Sequence, residues 1–216
     1  MIKTSNTCRL VISISGNGTN LQAIIKACAT KKFLATVVGV ISNKSHAYGL
    51  QRAQNAGIPT YVVDHRDFNS RTEFDAALKE VIDELNPSLV ILAGFMRILG
   101  GELVEHLLGR IMNIHPSLLP NYPGLNTHIQ ALKDGANEHG ATVHFVTSKL
   151  DSGPIILQKR IPIETNDTPQ NLAKRVHQCE HKIYPRVISW FADGRLKLLK
   201  DVVYLDGNPI DNRHPS

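Results

Sequence analysis

The sequence predicts an α/β fold: an open, mostly parallel sheet with helices on both faces and antiparallel strands toward the C-terminal half. Three observations carry this expectation. Short β-branched runs alternate with amphipathic stretches through the first half, the pattern of strands joined by crossover helices. Leu89 to Ala93, LVILA, is apolar throughout, as a central strand covered on both faces must be. In the second half, Ala141 to Thr147 and Ile155 to Ile163 flank the tight stretch Lys149 to Pro154, which suits a hairpin better than a crossover. No internal repeat or composition break divides the chain, so residues 1–216 are expected to form a single domain.

Composition narrows the class. At 216 residues the chain can bury a core without disulfide support. Its three cysteines, Cys8, Cys28 and Cys179, are widely spaced and form no C-x-x-C pair. That argues for a reducing compartment, cytoplasmic by default, and against a structural zinc site. No apolar run is long enough to span a bilayer. The net charge is +5 and the pI near 9.2, yet Lys and Arg are scattered without a run of like charges. This reads as a mildly basic enzyme surface, not a nucleic-acid platform.

Arg9 to Ser15 (RLVISIS) is the first strand, and it runs into Gly16-Asn17-Gly18-Thr19-Asn20. Leu21, Ile24, Ile25 and Cys28 then repeat at helical spacing, so a glycine loop joins a strand to a helix N-terminus. Free N–H groups of a first helical turn attract anions, and glycines let the backbone approach closely. The loop is therefore either a phosphate cradle or no more than a tight turn. A dinucleotide is disfavoured, because Leu21 stands where G-x-G-x-x-G needs its last glycine. Leu34 to Ser42 is the second strand, Tyr48 to Ala56 a short helix closed by Gly57, and Pro59 to Val63 the third strand. After a polar loop, Ser70-Arg71-Thr72-Glu73 reads as a capping box, and Phe74, Ala77, Leu78, Val81, Ile82 and Leu85 form one stripe behind it. Beyond the fourth strand, LVILA, the run Gly94 to Leu99 sets large apolar residues around Arg97. It lines a pocket for a flat ligand with an acidic tail, or is an ordinary core patch with a surface arginine.

Ile111 to Tyr122 (IMNIHPSLLPNY) holds the clearest chemistry. Residues two apart on a strand share a face, so Asn113 and His115 come together at a carboxyl end that Pro116 and Pro120 close to further pairing. An imidazole beside an amide donor suits a carbonyl-handling site; the alternative is a turn asparagine and a satisfied histidine. Thr127 to Asp134 is a short helix ended by Gly135. On the strand Ala141 to Thr147, His144 faces opposite to Val143 and Phe145 and is expected to be structural. Asp151 stands before Ser-Gly as turn aspartates do. Thr168 and Pro169 start the last long helix, with Leu172, Val176, Cys179, Ile183 and Val187 as its buried stripe, Glu180 off that stripe and Pro185 as a kink or restart. Leu196 to Leu205 reads as a small hairpin.

The runs SGNGTNLQAI, LAGFMRIL, NIHPSLLPNYPG, HGATVHFVTSKLDSGPIILQ and EHKIYPRVISWFADGRL closely resemble the phosphoribosylglycinamide formyltransferase family across nearly the whole chain. The middle motif is shared with methionyl-tRNA formyltransferases and formyltetrahydrofolate hydrolases; SGNGTNL is more discriminating. The resemblance implies a Rossmann-like fold. It also implies transfer of a formyl group from the co-substrate 10-formyltetrahydrofolate to the amine of glycinamide ribonucleotide in purine biosynthesis, with no metal. By the same resemblance Asn113, His115 and Asp151 would be the catalytic trio. Gly18, Thr19 and Asn20 would hold the ribonucleotide phosphate, and Glu180 would meet its ribose. Met96, Arg97, Ile98, Leu99, Val146 and Thr147 would line the folate pocket, with Arg71 near the glutamate tail. Asn126 and His177 occupy positions that vary in residue type among relatives, and no contact is assigned to either.

The expected partners are small-molecule substrates, without nucleic acid or membrane, on a monomer or homodimer. A hydrolase of this family would carry an extra regulatory domain before the fold and a tRNA-directed relative an additional one after it, and the chain is expected to have neither. A non-enzymatic nucleotide-binding regulator of the same fold would need the glycine loop but not the Asn113, His115 and Asp151 combination.

Overall fold

The computed structural model describes residues 7–30 and 34–210. In chain order the first half holds β1 (Cys8–Ile14), α1 (Thr19–Ala29), β2 (Ala35–Ser42), α2 (Tyr48–Asn55), β3 (Thr60–Val62), α3 (Arg71–Leu85) and β4 (Leu89–Leu92). Next come α4 (Gly101–His106), β5 (Ile111–His115), α5 (Thr127–Lys133), β6 (Glu138–Phe145), β7 (Ile155–Pro162) and α6 (Pro169–Ala192). A seven-stranded sheet runs in the order β3-β2-β1-β4-β5-β6-β7. Pairs from β3 through β5 are parallel, while β5–β6 and β6–β7 are antiparallel. The mostly parallel sheet with an antiparallel side is the one the sequence predicts.

Strand alternation sorts the core into two layers. Leu10, Ile12 and Ile14 of β1 join Leu21, Ile24, Leu50, Val176, Tyr184 and Val187 on the face covered by α1, α2 and α6. Val11, Val90, Leu92 and Ile111 point the other way, toward Phe74, Leu78 and Ile82 of α3 and Leu103 and Val104 of α4. Both faces are covered, which is why β1 and β4 are apolar almost throughout. The chain leaves β1 toward β2 on one side and returns to β4 on the other. Their diverging carboxyl ends form the kind of crevice where ligands enter open α/β sheets.

The helix signals act as read. Ser70 Oγ accepts the Glu73 N–H at 3.2 Å, and Glu73 Oε2 accepts the Asn69 N–H at 2.9 Å, a reciprocal cap reaching one residue further back than the simple box. Thr168 Oγ1 accepts the Asn171 N–H at 3.2 Å at the head of α6. The fully buried Tyr184 hydroxyl lies 3.0 Å from both Leu92 O and Met112 O, donating its single proton between them. This pins α6 under the two central strands.

Four features differ from the expectation. The short helix α4 was not anticipated, because Gly100-Gly101 is a poor helix start and six residues show no full apolar period. The polar loop after β3 contains a 3-10 turn, His65–Asp67, capped by the Asp64 side chain. Helix α6 continues through Pro185 without a restart, held there by the buried Tyr184, Val187 and Ile188 on either side of the lost N–H. The C-terminal hairpin is a three-stranded sheet, β8 (Leu196–Leu199), β9 (Val202–Leu205) and β10 (Asn208–Pro209). Among the described residues the three cysteines are unpaired, and no helix is long and apolar enough to cross a membrane.

Candidate active site

Strand β5 ends where Pro116 removes the next ladder N–H. Asn113 pairs with His144 and His115 with Thr142 across β5 and β6; residues so paired point to one face, and Asn113 and His115 share it. The face therefore carries Asn113, His115 and His144 side by side. His115 is only 5% exposed, deeper than a side chain held out at a strand end, whereas Asn113 is half-buried.

Asp151 completes the cluster from the β6–β7 connection. Phe145 at the end of β6 stands opposite Met112, yet Asp151 Oδ2 lies 3.5 Å from His115 Nδ1, so the connection turns back along the sheet to reach the end of β5. Asp151 adopts a left-handed conformation with φ 46°, which aspartate tolerates better than most residues. Its Oδ2 accepts the Gly124 N–H at 2.9 Å, and its Oδ1 lies 3.9 Å from His144 Nε2. On the other side of the His115 ring, Nε2 donates to Tyr122 O at 2.9 Å. That bond leaves Nδ1 as the nitrogen turned toward Asp151. The loop after β5 is held to the sheet by Thr142 Oγ1, which accepts the Leu119 N–H at 3.1 Å, and by the Gln158 amide, which donates to Leu119 O at 2.8 Å.

His144 has a more specific part than a structural histidine. Its Nδ1 donates to Phe145 O at 2.9 Å, so a neutral ring presents the bare Nε2 to the Asn113 amide nitrogen 3.3 Å away. Burial pushes its pKa below the usual imidazole value, which keeps the ring neutral and accepting. One proton of the Asn113 amide is thus taken by His144, and the other has no partner among the described residues. The polar partner missing from its own strand is on the neighbouring one.

The second part of the site is at the head of α1. Gly18, the residue before the helix, is left-handed at φ 73°, and among the described residues α1 has neither a capping side chain nor an acidic residue in its first turn. Its leading N–H groups, including those of Thr19 and Asn20, are open to an anion. Arg52 braces this loop: its Nε and Nη2 donate to Asn17 O and Oδ1, each at 2.8 Å. Asn20 Nδ2 donates to Glu180 Oε2 at 2.8 Å, while Asn20 Oδ1 is buried with no hydrogen-bond partner among the described residues. Glu180 is 3% exposed, which corrects the expectation that it lies off the buried stripe: counted from Val176 it falls on the α6 face turned to α1. Burial raises its pKa above the usual carboxyl range, and the Asn20 hydrogen bond opposes that rise. One turn on, Tyr184 reaches Met112 O, so α6 links this loop to the strand that carries Asn113.

The third part is the loop after β4. Phe95, Leu99 and Val146 pack into one apolar cluster, with Leu99 buried within it. Met96 and Ile98 are exposed, at 62% and 54%. Arg97 Nε is buried without a hydrogen-bond partner among the described residues. Arg71, at the head of α3, and Arg97 both act on the buried Asp75, whose carboxyl burial pushes up and whose Oδ2 accepts the Gly100 N–H at 2.7 Å. Thr147 lies next to Val146, its hydroxyl donating to Lys149 O at 3.3 Å. Asp75 was missed in the sequence; the signal was a lone carboxylate at helical spacing with Leu78 and Ile82 on the buried stripe.

The sequence profile of formyl transferases matches residues 8–188. The Escherichia coli phosphoribosylglycinamide formyltransferase is 54% identical over 201 residues, covering 93% of this chain and 95% of that protein. The chain belongs to the phosphoribosylglycinamide formyltransferase branch of the formyl transferase family. The human trifunctional purine biosynthetic protein adenosine-3 is 45% identical over 88% of this chain, which spans 19% of that longer protein. Among solved structures, the phosphoribosylglycinamide formyltransferase of Coxiella burnetii superposes with a TM-score of 0.93 at 52% identity, covering 97% of this chain and 99% of that one.

Near the Asn113, His115 and Asp151 cluster, this formyl transferase holds a histidine pair, the half-buried His128 and the fully buried His139, with His128 Nδ1 and His139 Nε2 3.0 Å apart. Burial lowers both pKa values from 6.5 to about 4. Between these values the unfolded chain binds more protons than the folded one, so the pair's contribution is full above pH 6.5 and lost as pH falls toward 4. In urea unfolding, the stability difference between the parent and His139→Gln is expected to shrink across that window. A difference independent of pH would show that the pair is not buried neutral.

Proposed function

We propose that the chain transfers the formyl group of 10-formyltetrahydrofolate to the primary amine of glycinamide ribonucleotide, in the cytoplasm, through Asn113, His115 and Asp151. The observation that carries the reading is the convergence of an amide donor, an imidazole and a carboxylate on one face of β5 and β6. The carboxyl ends of the neighbouring β1 and β4 add an open helix N-terminus and an apolar loop with arginines. The names of the relatives point to the same reaction.

In this reading Gly18, Thr19 and Asn20 bind the phosphate at the head of α1, and Glu180 accepts from the ribose hydroxyls. Met96, Arg97, Ile98, Leu99, Val146 and Thr147 border the folate, with Arg71 toward its acidic tail. Attack of the amine on the formyl carbon puts negative charge on oxygen. In this reading the second proton of the Asn113 amide and the His115 Nδ1–H, which Asp151 faces, stabilise that charge. The 3.5 Å separation from Asp151 leaves that Nδ1–H only weakly engaged. Asp151 balances the imidazolium charge and passes the proton of the attacking amine to the folate nitrogen, which leaves as the oxyanion returns to a carbonyl and the bond between the formyl carbon and that nitrogen breaks. Holding two substrates side by side supplies much of the rate.

The test is loss of 10-formyltetrahydrofolate, followed by absorbance with and without glycinamide ribonucleotide. Acceptor-dependent loss with formylated product supports the reading; loss without acceptor would make the protein a hydrolase. Gly18→Ala probes the phosphate loop. Its left-handed backbone disfavours a side chain, and an added Cβ would sit 2.7 Å from Gly49 Cα. A free loop that escapes this left-handed strain must take it up again on binding, and about 1–2 kcal/mol then corresponds to roughly a tenfold rise in KM for the ribonucleotide. KM for the folate should stay as it is.

A further inference from the structure

One hydrogen-bonded line crosses the carboxyl ends of four parallel strands. Met96 N–H donates to Ser15 Oγ at 2.7 Å, and Ser15 Oγ–H donates to Asn43 Oδ1 at 2.6 Å. The Asn43 amide nitrogen then lies 3.3 Å from His65 Nδ1. Ser15 directly follows β1 and Asn43 directly follows β2, while His65 and Met96 lie just beyond β3 and β4. Ser15 and Asn43 are 6% and 1% exposed, so water competes little for these bonds. The Ser15 backbone adds a second tie, its N–H donating to Gly94 O at 3.1 Å.

The line crosses the crevice at the point where the strand order reverses, between β1 and β4. On one bank Ser15 adjoins Gly16, where the glycine loop begins; on the other, Met96 opens the apolar loop. The single hydroxyl proton of Ser15 is committed to Asn43 and one lone pair to Met96, so its hydroxyl has no proton left for a ligand. It cannot serve as a donor to substrate. What it can do is fix how far apart the two loops stand.

We propose that Ser15 is a positioning residue that sets the spacing between the phosphate loop and the folate loop. This rests on the function proposed above. In that reading the glycine loop holds the phosphate end of the ribonucleotide and the Met96 loop borders the folate, while the reacting atoms meet at the neighbouring end of β5. A change in spacing therefore leaves each loop's own contacts intact but misaligns amine and formyl carbon. A misplacement of about 1 Å can cost on the order of a hundredfold in rate. Ser15 thus acts on kcat and not on the affinity for either substrate.

Ser15→Ala removes the tie and leaves the Met96 N–H and Asn43 Oδ1 without it. We expect kcat to fall about tenfold or more, with KM for each substrate within about threefold of the parent. Amide hydrogen exchange at Met96 should become faster, a readout that needs no turnover. Ser15→Cys, which keeps a weak donor and acceptor, should recover part of the rate. Asn43→Ala should weaken the same line, and Ser15→Ala with Asn43→Ala should lose less than the product of the two single effects. A rise in KM for one substrate with kcat retained would overturn the proposal by assigning Ser15 to a single loop. So would faster Met96 exchange or a lower melting temperature with unchanged kcat. Parent protein lacking acceptor-dependent turnover would instead strike down the proposed reaction, and with it the basis for this role.

Discussion

His115→Ala is expected to lower kcat on the order of a hundredfold or more, the usual consequence of removing one donor to a developing oxyanion. KM for both substrates should change little, because the imidazole acts on charge that exists only in the transition state. The ring sits where this role requires. Tyr122 O orients it through Nε2, Asp151 faces Nδ1, and the neighbouring Asn113 gives one amide proton to His144 while the other has no partner among the described residues. The variant also loses the Nε2 contact to Tyr122 O, so its melting temperature must be compared with that of the parent. Steady-state kinetics on folded variant is the deciding measurement. Turnover within a few-fold of the parent would remove His115 as the electrophile and leave it a satisfied histidine at a strand end.

The order of strands and helices was legible because local signals and burial agree. LVILA is apolar since β4 is covered on both faces, and Ser70 with Glu73 caps α3 as their spacing requires. The pairing of Asn113 with His115 followed from strand alternation and the proline after them. The partners of that pair were harder to read, since each comes from a distant segment. Nothing near His144 in sequence reveals that it faces Asn113, because the contact exists only through the antiparallel register of β5 and β6. Glu180 was expected off the apolar stripe, and only the packing of α1 against α6 buries it on Asn20. Asp75 bears no motif, and Ser15 opens SGNGTNL without a role assigned to it there; the roles of both come from loops that close over them. Helix α4 was lost because its glycines and short length give no periodic signal, and the Asp75 carboxylate supplies the N–H acceptor its own sequence lacks.

Asp151→Asn should cost turnover on the order of a hundredfold, within the range for losing a positioned proton acceptor, while both KM values stay within a few-fold of the parent. This substitution isolates charge from shape. Asparagine tolerates the left-handed backbone at φ 46° at least as well as aspartate does, and its carbonyl oxygen can still accept the Gly124 N–H that Oδ2 now takes. The connection between β6 and β7 therefore keeps its turn. What disappears is the negative charge 3.5 Å from His115 Nδ1 and 3.9 Å from His144 Nε2. Without it the His115 imidazolium is no longer balanced, and the amine proton has no carboxylate to receive it. Turnover should thus fall in Asp151→Asn even though thermal stability is unchanged. A variant that binds either substrate poorly but turns over at the parent rate would reduce Asp151 to a turn residue that shapes the loop at Gly124.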